Sequence, residues 1–157
     1  MADAPVPDTY LVVIDSTAER RRALRYGALR AARTGGRLLL LHVIQPANFV
    51  QWGAIEADME AEAREEAEAL LAQSAAEATA LLGTPPETLL RHGAPAEEIL
   101  ASINAQGRIR ALILAAGTRG RPNPLIEHFS SDKAAQLPCL LTIIPASLSD
   151  EALDRLA

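Results

Sequence analysis

The sequence has one cysteine, few aromatic residues and no long apolar run. A single cysteine, Cys139, excludes an intrachain disulfide, and we interpret it as a buried, unreactive thiol. No apolar run approaches the roughly 20 residues that a membrane-spanning helix needs. The first ten residues contain neither the basic nor the apolar region of a signal peptide. We therefore expect a cytoplasmic protein that is not integral to a membrane.

Positive charge is also scarce. The chain has 15 basic and 20 acidic residues, with a net charge of −5, and Lys133 is its only lysine. The basic residues are scattered along the sequence, which argues against a broad nucleic-acid-binding surface. We expect no nucleic-acid partner. At 157 residues the chain fits one domain with one core.

Five short apolar runs alternate with helical patterns. Most of them are continuously apolar, which is typical of parallel strands buried on both faces. The third run is less apolar, so we place it at a sheet edge. The predicted strands are 10–14, 37–44, 87–91, 111–116 and 139–145. Their alternation with helices predicts an α/β fold, a single-domain open parallel sheet with helices on both faces.

The predicted domain spans 10–146, between a disordered lead-in (1–9) and a C-terminal tail (147–157) whose weak helical pattern leaves docking and fraying both open. Ser16 and Glu19 have the spacing of a capping box, which predicts a helix from Ser16 to about Thr34. A second, long amphipathic helix is predicted over 55–82, with Met59 on its inward face and its glutamates solvated. The preceding loop holds Phe49 and Trp52, which either fold back onto the helix or cover a ligand or partner.

The stretch 111–133 contains the most specific pattern. Its apolar strand ends at a loop with Gly117 and Gly120, where a ligand can approach the backbone without obstruction by a Cβ atom. Ser130 and Ser131 stand where the next helix is expected to begin, with its first N–H groups free. Together with the guanidinium groups of Arg119 and Arg121, this pattern favours a polyphosphate ligand. Two glycines three residues apart also occur by chance in many loops, so this spacing alone does not specify a phosphate site.

A carboxylate is expected opposite this loop. Ligands of parallel α/β sheets bind outside the carboxyl ends of strands, where the strand order reverses. Asp15 ends the first strand, and the glycine loop follows the fourth. If those strands are neighbours, the carboxylate and the anion-binding loop share one crevice. A carboxylate beside a phosphate site suits the hydroxyl or amino groups of the same ligand, which predicts a nucleoside polyphosphate.

These residues resemble the nucleotide-binding branch of the universal stress protein family. The matching features are Asp15, then Gly117-Thr118-Arg119-Gly120, nine residues, and Ser130-Ser131, with serine at the third glycine position. The resemblance implies that Asp15 contacts adenosine and Val43 the base. It also implies ribose and phosphate contacts from four residues: Gly117, Gly120, Ser130 and Ser131.

The resemblance further implies a Rossmann-like sheet of the adenine nucleotide alpha hydrolase type, in the order 3-2-1-4-5. It also implies a homodimer paired through the last strand. We expect ATP as ligand, with or without Mg²⁺, and no protein metal site, since no metal-ligand spacing occurs in the sequence. A stress-response module that binds ATP or a related adenine nucleotide is one hypothesis. A dimeric interaction module without a nucleotide is the alternative, supported by Ser130.

Slow nucleotide hydrolysis is a third hypothesis, for which we assign no catalytic residue. None of the three histidines forms a recognisable catalytic pair with Cys139 or a serine. His42 lies in a buried run and is interpreted as a core histidine. His92 ends the third strand, and His128 lies in the glycine loop, either at its surface or against a phosphate.

Overall fold

The computed structural model of the protein describes residues 6–46 and 53–157, without the side chains of 53–56. The predictions for Phe49 and Trp52 lie outside the described residues. The strands are β1 (Thr9–Val13), β2 (Arg37–Ile44), β3 (Glu87–His92), β4 (Ile109–Ala115) and β5 (Leu140–Ile144). The helices are α1 (Arg20–Thr34), α2 (Gly53–Leu82), α3 (Pro95–Gln106), α4 (Pro124–Ser130), a 3₁₀ helix (Asp132–Gln136) and α5 (Asp150–Leu156).

The five strands form one parallel sheet in the order β3-β2-β1-β4-β5. The predicted fold class and strand order are confirmed, as is the edge position of the third strand. The chain moves from β1 to β3 in one direction and from β4 to β5 in the other, so the order reverses between β1 and β4. The ends of these two strands are therefore the expected place for a ligand.

Alternate residues of the strands supply two apolar layers, one on each face of the sheet. One layer packs Val12, Leu40 and Ile113 under α1, α2 and α5. The other packs Leu11 and Leu112 under α3 and α4, with Phe129 of α4 buried there. Burial of both faces explains why the central strands have continuous apolar runs.

The long helix α2 is buried only in its second half. With 30 residues it is about 45 Å long, longer than the strands beneath it. Burial begins at Ala67 and continues through Leu71, Ser74 and Ala78. Met59, predicted to face inward, is 39% exposed because the first turns of α2 lie beyond the sheet. That part of the inward-face prediction was wrong.

Residues that precede and follow the predicted domain in sequence also form contacts with it. Asp8 pairs with Arg108 and Arg110 at 3.5 and 3.1 Å, and β1 begins at Thr9. At the other end α5 packs on α1, with Leu153 in the core and Arg25 bonded to both Asp154 oxygens. Across the described ranges, no helix is both long and apolar enough to cross a membrane.

Candidate functional site

Two adjoining clefts lie at the point where the strand order reverses. The first, which we name the loop cleft, has a volume of about 510 Å³ and lies between the residues after β1 and those after β4. Its lining includes Asp15, Thr17, Glu19, Gly117, Thr118, Arg121 and Asn123. The prediction that the two loops face each other across one crevice therefore agrees with the pairing of β1 with β4.

The second cleft, which we name the strand-end cleft, has a volume of about 570 Å³ and lies above β1 and β2 between α3 and α4. Apolar side chains supply much of its wall: Val13, Val43, Ile99 and Leu125. Asp15 and Asn123 line both clefts. A ligand with an apolar ring and a polar extension could therefore occupy the two clefts together.

Asp15 is held by its own local turn. Its Oδ1 accepts hydrogen bonds from the Thr17 N–H and hydroxyl at 2.8 and 2.5 Å, which is an Asx turn. Its Oδ2 accepts none from the described residues, so one oxygen is available to a ligand. The turn delays α1 to Arg20, and Glu19 occupies the N-cap position without a side-chain capping bond. The predicted Ser16 capping box was therefore wrong.

The glycines of the loop after β4 shape the loop itself. The Arg121 N–H donates to the Thr118 carbonyl at 2.9 Å, closing a turn. Gly120 occupies its third position with φ of +83°, as a type II turn requires. A Cβ on Gly117 would lie 2.0 Å from the Arg121 carbonyl oxygen. The close approach therefore requires glycine at 117 for this backbone path, whereas the positive φ favours glycine at 120, whatever the ligand.

Asn123 connects the loop to the next helix, a role that we did not predict. Its side-chain oxygen accepts from the Leu125 N–H at 3.0 Å, which caps α4, and its amide donates to the Ala115 carbonyl at 2.9 Å. The signal was present in the sequence, because asparagine followed by proline is a typical helix start. We missed it because we treated 117–131 as a continuous loop.

The two predicted phosphate-binding serines line neither of the two clefts. Ser130 ends α4, seven residues beyond Asn123, and is exposed. It does not begin a helix, so the prediction was wrong for Ser130, whereas Ser131 stands at the start of the next helix as predicted. Among the described residues Arg108 alone, glycine apart, has a positive φ, so the Ser130 backbone is one that any residue can adopt. Ser131 caps the 3₁₀ helix, accepting from Lys133 at 3.3 Å.

The remaining residues predicted to contact the ligand differ in whether they line a cleft. Val43 lines the strand-end cleft and Gly117 the loop cleft, whereas Arg119 and Gly120 line neither. Arg121 lines the loop cleft. The structure thus brings together Asp15, Val43, Gly117 and Arg121, while Ser130 and Ser131 remain at the far end of α4.

The histidines and the cysteine have distinct environments. The His42 Nδ1 is 2.5 Å from the Ile14 carbonyl oxygen, joining the ends of β2 and β1, and its ring lines the strand-end cleft. His128 is exposed on α4 and lines the same cleft. Cys139 packs against the α3 and α4 layer, and burial raises the pKa of its thiol, which disfavours the reactive thiolate.

The electrostatics of the loop cleft centre on Glu19. A hydrogen bond from its own backbone N–H lowers the pKa of this carboxyl, with further contributions from the Thr17 side chain and from the charges of Arg22 and Arg121. Glu19 is therefore ionised at neutral pH. No cluster of three or more potential metal-ligating side chains occurs among the described side chains, those of residues 6–46 and 57–157.

The family model described as the universal stress protein family matches residues 8–145, so the chain belongs to that family. A search of curated proteins found no match. The fold is similar to the universal stress protein UspA from Lactobacillus plantarum, at 16% identity and a TM-score of 0.73, covering 90% of this chain and 99% of that chain.

Two further similar structures contain a bound adenine nucleotide. A universal stress protein from Archaeoglobus fulgidus in complex with dAMP has 17% identity and a TM-score of 0.58, covering 89% of this chain and 98% of that one. A family member from Arabidopsis thaliana with AMP bound has 18% identity and a TM-score of 0.59, covering 92% and 95%. At these identities the similarity establishes the fold.

Proposed function

We propose that this protein is a cytoplasmic stress-response module that binds an adenine nucleotide, ATP or a related one, in the two clefts beside β1 and β4. The observation that carries the proposal is the position of Asp15, which lines both the apolar strand-end cleft and the loop cleft and whose Oδ2 accepts no hydrogen bond from the described residues. The dAMP and AMP complexes of similarly folded proteins support the choice of an adenine nucleotide.

The residues present suit such a ligand. The strand-end cleft, at about 570 Å³, has the size of a small-molecule site, and the side chains of Val43, Ile99 and Leu125 would surround an aromatic base. The free Asp15 oxygen would accept hydrogen bonds from ribose hydroxyl groups. The loop cleft beyond it would hold phosphate, with Arg121 as its cation. Contacts from Gly120, Ser130, Ser131 and Arg119 remain predictions from the family resemblance.

Asp15→Asn is expected to weaken adenosine binding about tenfold, or about 1.4 kcal/mol, because a charge-assisted hydrogen bond becomes a neutral one. Asparagine keeps an Oδ1 acceptor for Thr17, so the turn is retained. Calorimetric titration with adenosine measures the effect, with Asp58→Asn on the exposed first turns of α2 as the charge-matched control. Equal affinity in wild type and Asp15→Asn would remove Asp15 from the site.

A direct test of the function is a mass spectrum of freshly purified, denatured protein, in which released adenine nucleotide is expected. Calorimetry with adenosine, AMP and ATP complements it, because a weak ligand can be lost during purification. Absence of nucleotide in the spectrum together with no heat of binding from any of the three would contradict the proposal.

The dimeric interaction module remains a second candidate because of the exposed apolar edge of the sheet. Leu140 is 64% exposed and Ile143 39% exposed, both on edge strand β5. An unpaired apolar edge strand favours association with another strand, and a second copy of the chain could pair there in twofold symmetry. Nucleotide binding and dimer formation are compatible.

Leu140→Glu is expected to weaken such a dimer about 30-fold, or roughly 2 kcal/mol, because twofold symmetry would bury the new carboxylate twice. Val6→Glu is the matched control, since Val6 is also an exposed apolar residue but lies outside the sheet. Sedimentation equilibrium at about 50 micromolar, a range suited to weak specific interfaces, measures both. A monomeric wild type would contradict the β5 interface.

A further inference from the structure

The loop cleft has a net negative charge, although its loop pattern favours phosphate. Two carboxylates, Asp15 and Glu19, and one guanidinium, Arg121, are the charged groups of its lining. Arg119, the other arginine of the glycine loop, is exposed and does not line the cleft. Each phosphate group added to a ligand therefore enters a cleft with one more carboxylate than cation.

Glu19 lies at a helix end, where a phosphate would also be stabilised. It is the N-cap residue of α1, a 15-residue helix whose first N–H groups favour an anion. Its side chain lines the loop cleft together with Arg121, the one cation among the described residues of that lining. A phosphate in the loop cleft must share the helix end and Arg121 with this carboxylate.

We infer that Glu19 sets the phosphate-number preference of the site, so that the cleft takes an adenosine monophosphate in preference to the more highly charged ATP. This inference rests on the proposed adenine nucleotide site and adds a selectivity to it. The 5′-monophosphate carries about two negative charges, and Arg121 and the loop amides suffice for it. A triphosphate carries about four, and the additional charges face Glu19 and Asp15 without a further cation in the lining.

The size of the effect follows from Coulomb's law. One unit charge 4 Å from another changes binding about fivefold in a water-like dielectric, and more in a partly enclosed cleft. Removing the Glu19 charge should therefore strengthen ATP binding about fivefold or more, strengthen AMP binding less, and leave adenosine within about twofold. Arg121→Gln should have the opposite effect, because it removes the cation that offsets Glu19.

Calorimetric titrations with adenosine, AMP and ATP, without divalent cations, test the inference on wild type, Glu19→Gln and Arg121→Gln. Glu151→Gln is the matched control, since Glu151 is an exposed glutamate in the first turn of α5. The expected result is a ratio of ATP to AMP affinity below one in wild type, raised in Glu19→Gln, lowered in Arg121→Gln and unchanged in Glu151→Gln. Excess Mg²⁺ should raise the wild-type ratio by neutralising the phosphates.

The outcomes separate the inference from the proposed function. Binding of adenosine and AMP with a ratio that is the same in wild type and Glu19→Gln would overturn the inference and leave the nucleotide site intact. A wild type that prefers ATP without Mg²⁺ would also overturn it. No binding of any of the three ligands, by any variant, would overturn the proposed function and the inference with it. Thermal unfolding of each variant confirms that the compared proteins are folded.

Discussion

Gly117→Ala is expected to displace the loop between β4 and α4 and to weaken adenine nucleotide binding by about 100-fold or more, or about 2.8 kcal/mol. The added Cβ would lie 2.0 Å from the Arg121 carbonyl oxygen and 2.9 Å from the Asn123 nitrogen, and both are backbone atoms. Backbone atoms cannot move aside to relieve this clash as the end of a flexible side chain can. The loop must therefore move, and with it Arg121 and the Asn123 cap.

Gly120→Ala is the matched control for this variant. Gly120 has a φ of +83°, but, apart from its two chain neighbours, no described residue has an atom within 4 Å of the position of its Cβ. The cost is then conformational strain alone, about 1–2 kcal/mol, with the loop retaining its path. Calorimetry with AMP measures binding, and hydrogen exchange of the Thr118–Asn123 amides measures the loop. Equal AMP affinity in Gly117→Ala and Gly120→Ala would show that the close approach of Gly117 to the Arg121 carbonyl does not control nucleotide binding.

The sheet was predictable because burial on both faces leaves a strong pattern in sequence. A run such as Leu38–Leu41 is apolar at every position, since odd residues face α3 and even residues face α1 and α2. Alternating helices then require parallel strands. The order of the strands came from the family resemblance, because periodicity does not distinguish one neighbour from another.

The helix boundaries were less predictable, since local signals compete. Ser16 and Glu19 have capping-box spacing, but the Asp15 side chain binds Thr17 first and makes a turn there. Met59 has the correct helical phase for burial, yet the sheet does not extend beneath it. Helical phase determines which residues share a face, and only the tertiary structure determines where that face has a partner.

The candidate site was predicted in part. Asp15 and Gly117 follow from the rule that ligands bind at strand ends where the order reverses. Glu19 and Arg121 line the same cleft although they are about 100 residues apart in sequence, which no local pattern reveals. The loop pattern alone favours polyphosphate, whereas the folded cleft adds the charge of Glu19.

The C-terminal helix α5 lies beyond the segment that matches the family model. Ser149 caps it by accepting from the Ala152 N–H at 3.2 Å, and Arg33 donates to the Ala157 carbonyl at 2.8 Å. Arg25 binds both Asp154 oxygens at 2.7 and 2.8 Å, and this hydrogen bonding lowers the pKa of the Asp154 carboxyl. These groups are partly exposed, so the stability of the contact depends chiefly on apolar burial.

Leu153→Ala is therefore expected to lower the free energy of unfolding by about 3 kcal/mol. Leu153 is fully buried in the layer shared with α1 and β5. Leu156→Ala, in the same helix but 57% exposed, is the control and should change stability by less than about 0.5 kcal/mol. Urea denaturation followed by circular dichroism measures both. Sequence alone did not decide whether this segment docks or frays. If α5 frays in solution, neither leucine contributes to the core, and the two variants will unfold at the same urea concentration.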